Sequence, residues 1–200
     1  MLYPDLAAYV EARLQEFDEI PEQRKQDLSE VADFVRERPD PDLTFICTHN
    51  SRRSHLSQVW AEAAAAHFGT KDITAYSGGT EATAFHPHAV AAMVRAGFRI
   101  ERTTEARNPI YHVRFGDTRQ PVTCFSKVYN SAPNPTDGFC AVMTCTSADE
   151  ACPVVLGAAK RVSIPYEDPK NFDGTEKEQA AYDDRCRQIG REILYLFSRV

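Results

Sequence analysis

No stretch of the chain approaches the ~18 consecutive apolar residues that cross a membrane as a helix. The opening residues, Met1–Leu2–Tyr3–Pro4–Asp5, have neither the basic nor the apolar region of an export signal. Both absences predict a cytoplasmic protein without a membrane partner. Positive charge is scarce as well: 23 Lys and Arg stand against 29 Asp and Glu, a net charge of −6. That balance argues against nucleic acid or an anionic membrane surface, each of which needs a cationic face. It suits an enzyme that gathers its cations at one place. What is present suffices for one compact domain with an appendage: 200 residues, 42% of them hydrophobic. Six cysteines in a chain without an export signal predict reduced thiols used for chemistry, not a disulfide scaffold.

One stretch organises the rest. Leu43–Thr44–Phe45–Ile46 is apolar, β-branched and aromatic, and reads as a buried strand. The chain then turns through Cys47–Thr48–His49–Asn50–Ser51–Arg52–Arg53–Ser54 into the helix-favouring run Leu56–Ala66. A strand, a polar loop and a helix N-terminus form an anion cradle, because loop N–H groups and the helix dipole converge on one spot. Cys47 opens the loop and Arg53 closes it. A cysteine so placed is expected as a thiolate: free Cys titrates near ~8.5, and such surroundings bring it to roughly 3.5–7.5. The dipole supplies only ~0.3–1 kcal/mol, whereas a three-unit shift needs about 4 kcal/mol at ~1.36 per unit. Loop N–H groups and Arg53 must therefore do most of it. The guanidinium fork can also hold two oxygens of a tetrahedral oxyanion, and Asn50 and Ser54 can hydrogen-bond the loop and the thiolate. Elsewhere a cysteine at a strand end is a small buried hydrophobe; the strand–loop–helix setting makes Cys47 a candidate nucleophile.

Residues 1–40 read as an all-helical extension ahead of a domain spanning 41–200. Leu6, Tyr9, Val10, Leu14 and Phe17 recur at helical spacing, as do Leu28, Val31 and Val35 after Pro21. These helices either pack on the core, cap the site or supply a homodimer contact. Asp72–Gly79 reads as a second strand, and His86–Gly97 as a helix with Pro near its start and Gly past its end. His86 and His88, with no acid or thiol close by in sequence, read as surface histidines and not as metal ligands. Tyr111–Tyr129 alternates around the turn Gly116–Gln120 and reads as a β-hairpin. Phe139–Cys145 and Arg161–Pro165 are third and fourth strands, and Thr175–Phe197 is an amphipathic closing helix.

Two further positions carry chemistry. Cys145 ends the third strand, and Cys152 follows across a short polar segment that Thr146 or Ser147 can cap. If that segment is helical, the two Cα atoms lie near ~10 Å apart, beyond the ~7 Å reach of a disulfide. A bond between them therefore requires unwinding, which makes the segment a candidate redox switch. The other readings are a zinc pair, for which the spacing is poor and a second pair is missing, or two inert core thiols. Asp168, at the C-terminal end of the fourth strand, lies where open α/β sheets bind ligands, and can act as a general acid; Asp-Pro turns are otherwise common.

The loop Cys47–Ser54 resembles the C-x-G-N-x-x-R-S loop of the low-molecular-weight protein tyrosine phosphatase family, which includes the thioredoxin-coupled arsenate reductases. Tyr76–Glu81 with its following helix, Cys145…Cys152–Pro153, and Asp168–Pro169 extend the resemblance over roughly residues 43–198. It implies an α/β fold, a three-layer doubly wound sheet of four parallel strands, here with a hairpin insertion and an N-terminal helical extension. It implies that Thr48, His49, Asn50, Ser51, Arg52, Arg53 and Ser54 bind arsenate or phosphate, that Cys47 attacks, and that Asp168 is the general acid. It also implies that Cys145 and Cys152 relay the oxidation to external thioredoxin, with no metal or resident cofactor. The alternatives are a phosphatase using Cys47, Arg53 and Asp168 alone, or a non-catalytic oxyanion or redox sensor. Four departures stand out. His49 replaces the loop Gly and would be strained if φ were positive there. Arg52 replaces a frequent second Cys and adds charge beside the anion. Gln58 replaces a Glu expected beside a monovalent cation. Lys170–Asn171–Phe172 replaces paired tyrosines, against a phosphotyrosine substrate.

Overall fold

The computed structural model describes residues 1–151 and 154–200. Its centre is β1 (Asp42–Cys47), hydrogen-bonded on one side to β2 (Thr74–Gly79) and on the other to β6 (Cys140–Met143), with β7 (Lys160–Ser163) beyond it. All three pairings are parallel, and Ile46 lies opposite Gly78 on one side and Met143 on the other. Central parallel strands are covered on both faces, which is why their sequences are apolar without alternation. The period of two still sorts the side chains. Leu43, Phe45, Cys140 and Val142 enter the larger core, while Ile46, Ala141 and Met143 enter a smaller one with Phe139, Cys145, Ala148 and Val155.

The larger core holds α3 (Arg53–Phe68), α6 (Glu178–Phe197), α1 (Pro4–Leu14) and α2 (Glu22–Arg36). Leu6, Val10, Leu28, Val31 and Val35 are all buried in it, so the apolar stripes read from residues 1–40 meet the core of the sheet. Arg24 Nη2 donates to the Pro165 carbonyl at 2.7 Å, and Tyr3 N donates to the Phe115 carbonyl at 2.9 Å. The smaller core lies under the single short helix α5 (Thr146–Ala151) and the loops around it. Among the described residues no helix is long and apolar enough to cross a membrane.

After α4 (Pro87–Arg95), the expected hairpin is present as β4 (Tyr111–Arg114) against β5 (Val122–Cys124), joined through Gly116–Gln120. It belongs to a three-stranded antiparallel sheet, because β3 (Arg99–Arg102) adds to β4. The sequence reading has no such strand: Arg99–Ile100–Glu101–Arg102 is short, charged and largely exposed, so it lacks an apolar signature.

The closest approach of the two main helices depends on Gly190 in α6. A Cβ there would lie 2.8 Å from Trp60 Cε2 and 2.9 Å from Cζ2, and the indole is fully buried. Gly190→Ala is expected to lower unfolding stability by about 1–3 kcal/mol in denaturant titrations, the usual cost of overpacking a close-packed core.

Candidate active site

The loop between β1 and α3 is shaped by what holds its carbonyls. Cys47 O accepts from Thr80 N at 3.1 Å, and Thr48 O accepts from Glu81 N at 2.8 Å and Thr80 Oγ1 at 3.1 Å. His49 O accepts from Ser126 Oγ at 3.0 Å and Thr83 Oγ1 at 3.1 Å, and Ser51 O accepts from His86 N at 2.9 Å. In a trans peptide the C=O and the next N–H point in opposite directions. Pinning these four carbonyls outward therefore turns the N–H groups of Thr48, His49, Asn50 and Arg52 the other way. The chain that does the pinning comes very near: a Cβ on Gly79 would lie 2.2 Å from Glu81 O and 2.7 Å from both Asn50 N and Thr48 O. No residue but glycine fits there.

Asn50 is the left-handed residue of the loop, with φ 43°. The strain considered for His49 therefore does not arise: His49 is not among the residues with positive φ, and Asn tolerates that region well. Asn50 is buried, its Oδ1 accepts from Lys127 N at 2.9 Å, and its Nδ2 donates to Ser54 Oγ at 2.9 Å. Ser54 Oγ, already an acceptor, also lies 3.1 Å from Cys47 Sγ, and its hydroxyl can donate to a thiolate there. The side chain of His49 is half exposed, 3.9 Å from Glu81.

Arg53 is buried and oriented by two acceptors. Its Nη2 donates to Asp168 Oδ2 at 2.7 Å and its Nη1 to the Tyr166 carbonyl at 3.0 Å, while Nε is buried without a partner among the described residues. Asp168 Oδ1 also accepts from Lys170 N at 3.2 Å, capping a short 3₁₀ turn. Arg52 does not stand free beside the anion site as the sequence suggested. Its Nε donates to Tyr182 Oη at 2.8 Å and lies 3.8 Å from Asp168 Oδ1, and its Nη2 is 3.4 Å from Asp173 Oδ2. Two acids far along the chain share its charge. A cleft of about 470 Å³ next to the loop is lined by His49, Ser51, Arg52, His86 and Arg107 together with Thr83, Ala84 and Pro87, a mixed polar and apolar set.

Cys145 reaches the same place from the neighbouring strand. Thr144 N and Oγ1 both donate to Ile46 O, at 2.7 and 2.9 Å, extending the ladder past β6. Cys145 Sγ lies 3.4 Å from Thr48 Oγ1 and accepts from Ala148 N at 3.4 Å, so the sulfur caps α5. Cys152 lies outside the described residues. Of the remaining thiols, Cys124, Cys140 and Cys186 are buried, and burial pushes each up to about 12. Such thiols are inert.

Four contributors escaped the sequence reading. Ser126 and Lys127 belong to the stretch read only as a hairpin arm; Tyr182 was counted only in an apolar stripe, yet its phenol meets Arg52; Asp173 sat in an unremarkable loop. At the position considered for a monovalent cation, Gln58 Oε1 is buried without a partner among the described residues. Gln58 Nε2 donates to the Ala75 carbonyl at 3.0 Å, and Gln58 shares a cavity of about 260 Å³ with the side chain of Lys127, itself a cation.

Residues 42–110 match the model of the low molecular weight phosphotyrosine protein phosphatase family. An arsenate reductase of Bacillus licheniformis is 31% identical over 154 residues, covering 76% of this chain and 91% of that protein. An arsenate reductase of Bacillus subtilis is 29% identical over 152 residues with the same shares. Among solved structures, a low molecular weight protein tyrosine phosphatase from T. tengcongensis superposes with a TM-score of 0.55 at 16% identity, over 80% of this chain and 100% of that one. An arsenate reductase in its phosphate-binding state gives 0.51 at 18% identity, over 80% and 98%. These superpositions place the four-stranded sheet and its helices in one fold with both.

Lys127 gives the site a measurable signature. Burial lowers it from 10.5 to about 8, although Cys124 pulls slightly the other way. The folded protein thus holds this proton less readily than the unfolded chain. The charge costs stability at every pH below about 8, by roughly 3 kcal/mol at ~1.36 per unit, and the cost fades as pH rises toward the ordinary lysine range. Lys127→Met is expected to be more stable than the parent in urea at pH 7. That advantage should shrink by most of its value at pH 10, as the parent sheds the proton.

Proposed function

Because the chain belongs to the low-molecular-weight protein tyrosine phosphatase family, with arsenate reductases among its relatives, we propose that it reduces arsenate to arsenite through Cys47, Cys145 and Cys152. The observation that carries this reading is Cys145 Sγ beside the anion loop, 3.4 Å from the side chain of the residue that follows the nucleophile. Simple ester hydrolysis needs Cys47, Arg53 and Asp168 and has no use for a second thiol at that position.

The steps follow from the donors. The loop N–H groups and Arg53 hold the arsenate oxygens. The arriving anion competes with Asp168 for the Arg53 N–H groups, and the freed carboxyl takes up the proton it then gives to a departing oxygen, which leaves as water. Cys47, steadied by the Ser54 hydroxyl, forms the bond to arsenic. Cys145 thiolate next attacks Cys47 Sγ. The Cys47–Cys145 bond forms, the sulfur–arsenic bond breaks with its electron pair left on arsenic, and As(V) departs as As(III) in arsenite. Cys152 attacks Cys145, forming Cys145–Cys152 and returning Cys47 as a thiolate; the dithiol of thioredoxin then reduces that bond.

In sequence α5 occupies the residues between Cys145 and Cys152, so the exchange between them calls for α5 to open. It is six residues long, capped by Cys145, packed on the smaller core through Ala148 and anchored to β7 by Asp149, which accepts from Arg161 Nη2 at 2.5 Å and Ser163 Oγ at 2.8 Å. A helix this short has no stability of its own. The absence of paired tyrosines after Asp168 favours a small inorganic oxyanion over a phosphotyrosine side chain. The chemistry calls for a reducing compartment such as the cytoplasm, where thiols stay free.

Cys152→Ser is expected to complete one turnover with arsenate and stop, and peptide mapping of that protein should find a Cys47–Cys145 disulfide. The parent, mapped without reductant, should carry Cys145–Cys152. Cys145→Ser should lose arsenite release by at least a hundredfold while retaining hydrolysis of a small phosphomonoester. Arsenite production with no linkage among the three cysteines would overturn the relay.

A further inference from the structure

We propose that His88, Asp173 and Glu178 form a binding site for a divalent transition-metal ion of the zinc class, next to the anion loop and separate from the thiol chemistry. In sequence the histidine had no acidic neighbour. In the fold, three elements bring three ligand types together: His88 from the first turn of α4, Asp173 from the end of the turn after Asp168, and Glu178 from the start of α6. One ligand atom from each lies within 4.8 Å of the other two.

The distances fit a metal better than they fit a hydrogen bond. His88 Nδ1 is 3.3 Å from Glu178 Oε1, yet Nδ1 is buried and makes no hydrogen bond among the described residues. Two ligands held at about 2.0–2.1 Å in a tetrahedral shell stand roughly 3.4 Å apart. The pair is therefore already at ligand separation, and Asp173 needs only a small approach to join it.

The carboxylates are also aimed. Glu178 Oε2 is held by Gly174 N at 2.7 Å, which leaves Oε1 toward His88. Asp173 Oδ1 accepts from Tyr182 Oη at 2.9 Å, while its Oδ2 has only the long 3.4 Å contact with Arg52. Outer hydrogen bonds of this kind orient first ligands in metal sites. The His88 backbone is fixed too, its N–H donating to His86 Nδ1 at 3.3 Å, and the His86 ring stacks on Tyr182. One neutral imidazole and two carboxylates place two negative charges around a dication, a nitrogen–oxygen set that suits zinc, cobalt or nickel over calcium. All three side chains are partly exposed, so an ion can enter and a water can complete the shell.

The test uses cobalt(II) titrated into the full, reduced and desalted chain. One equivalent is expected to bind with visible d–d absorption and without a sulfur-to-cobalt charge-transfer band. His88→Ala and Glu178→Gln should each weaken binding at least tenfold with an unchanged far-ultraviolet spectrum, and Cys145→Ser should leave it alone. Equal affinity in the parent and both ligand variants would overturn the site. So would a charge-transfer band that disappears in Cys145→Ser, or no binding below ~1 mM cobalt.

Discussion

The register of β6 on β1 is the constraint from which the chemistry of this protein descends. Ile46 faces Met143, and the residue just past β6, Thr144, grips the Ile46 carbonyl with both its amide and its hydroxyl. One step beyond these residues the two strands deliver Cys47 and Cys145 to the same edge of the sheet. Side chains alternate along a strand, so a slip of one residue would send Cys145 to the opposite face and leave the nucleophile without a second thiol. Such a register is firmly held, because Ala141 and Met143 would also exchange cores with Cys140 and Val142. The placing of the sulfurs thus costs the fold nothing additional; it comes with burial of the strands.

A second layer of constraint gives the loop its form. Five separate pieces of chain fix it: the residues after β2, the start of α4, Ser126 and Lys127, the segment Tyr166–Asp168, and α3 itself. Most of their hydrogen bonds go to loop carbonyls, which leaves the amides for an anion. Preorganised amides of this kind lose little on binding, and hydrogen bonds to a charged group contribute about 1.5–3 kcal/mol each. The acidic composition of the chain does not oppose this. Its cations are spent locally, with Arg53 oriented by Asp168 and the Tyr166 carbonyl, Arg52 shared between Asp168 and Asp173, and Lys127 buried behind Asn50.

What the sequence disclosed and what it withheld divide along physical lines. The four parallel strands were legible because buried strands need apolar, β-branched runs, and Leu43–Ile46 and Phe139–Met143 have them. The anion loop was legible because its chemistry is contiguous: nucleophile, turn residues, arginine and helix start occupy adjacent positions. Strand β3 was not, since an exposed edge strand such as Arg99–Arg102 owes its place to backbone pairing with β4. The condition under which His49 would be strained is not met, because the loop takes its left-handed turn one residue later, at Asn50. Asp173, Glu178, Tyr182 and Lys127 were beyond reach for one reason. Each acts on a partner distant in sequence, and no local pattern records a contact that only the packed fold creates. His88 is the sharpest case: it has no acid close by in sequence, and the fold sets Glu178, from the start of α6, 3.3 Å from its ring.

Arg52 shows how these layers join. It precedes α3 directly, in the loop that would hold the anion, and its guanidinium meets Tyr182 from α6, Asp173 after the 3₁₀ turn, and, at longer range, Asp168. Asp168 in turn holds Arg53. Asp168 thus stands between two guanidiniums, close to Arg53 and at longer range from Arg52, and an oxyanion at the loop would have to compete with it for Arg53. Asp173 keeps part of the Arg52 charge on the far side. The strength of the anion site is therefore set not by the loop alone but by how firmly the start of α6 and the turn before it hold Asp173. That makes the closing helix, which otherwise serves the core, a determinant of the charge that the nucleophile's substrate meets.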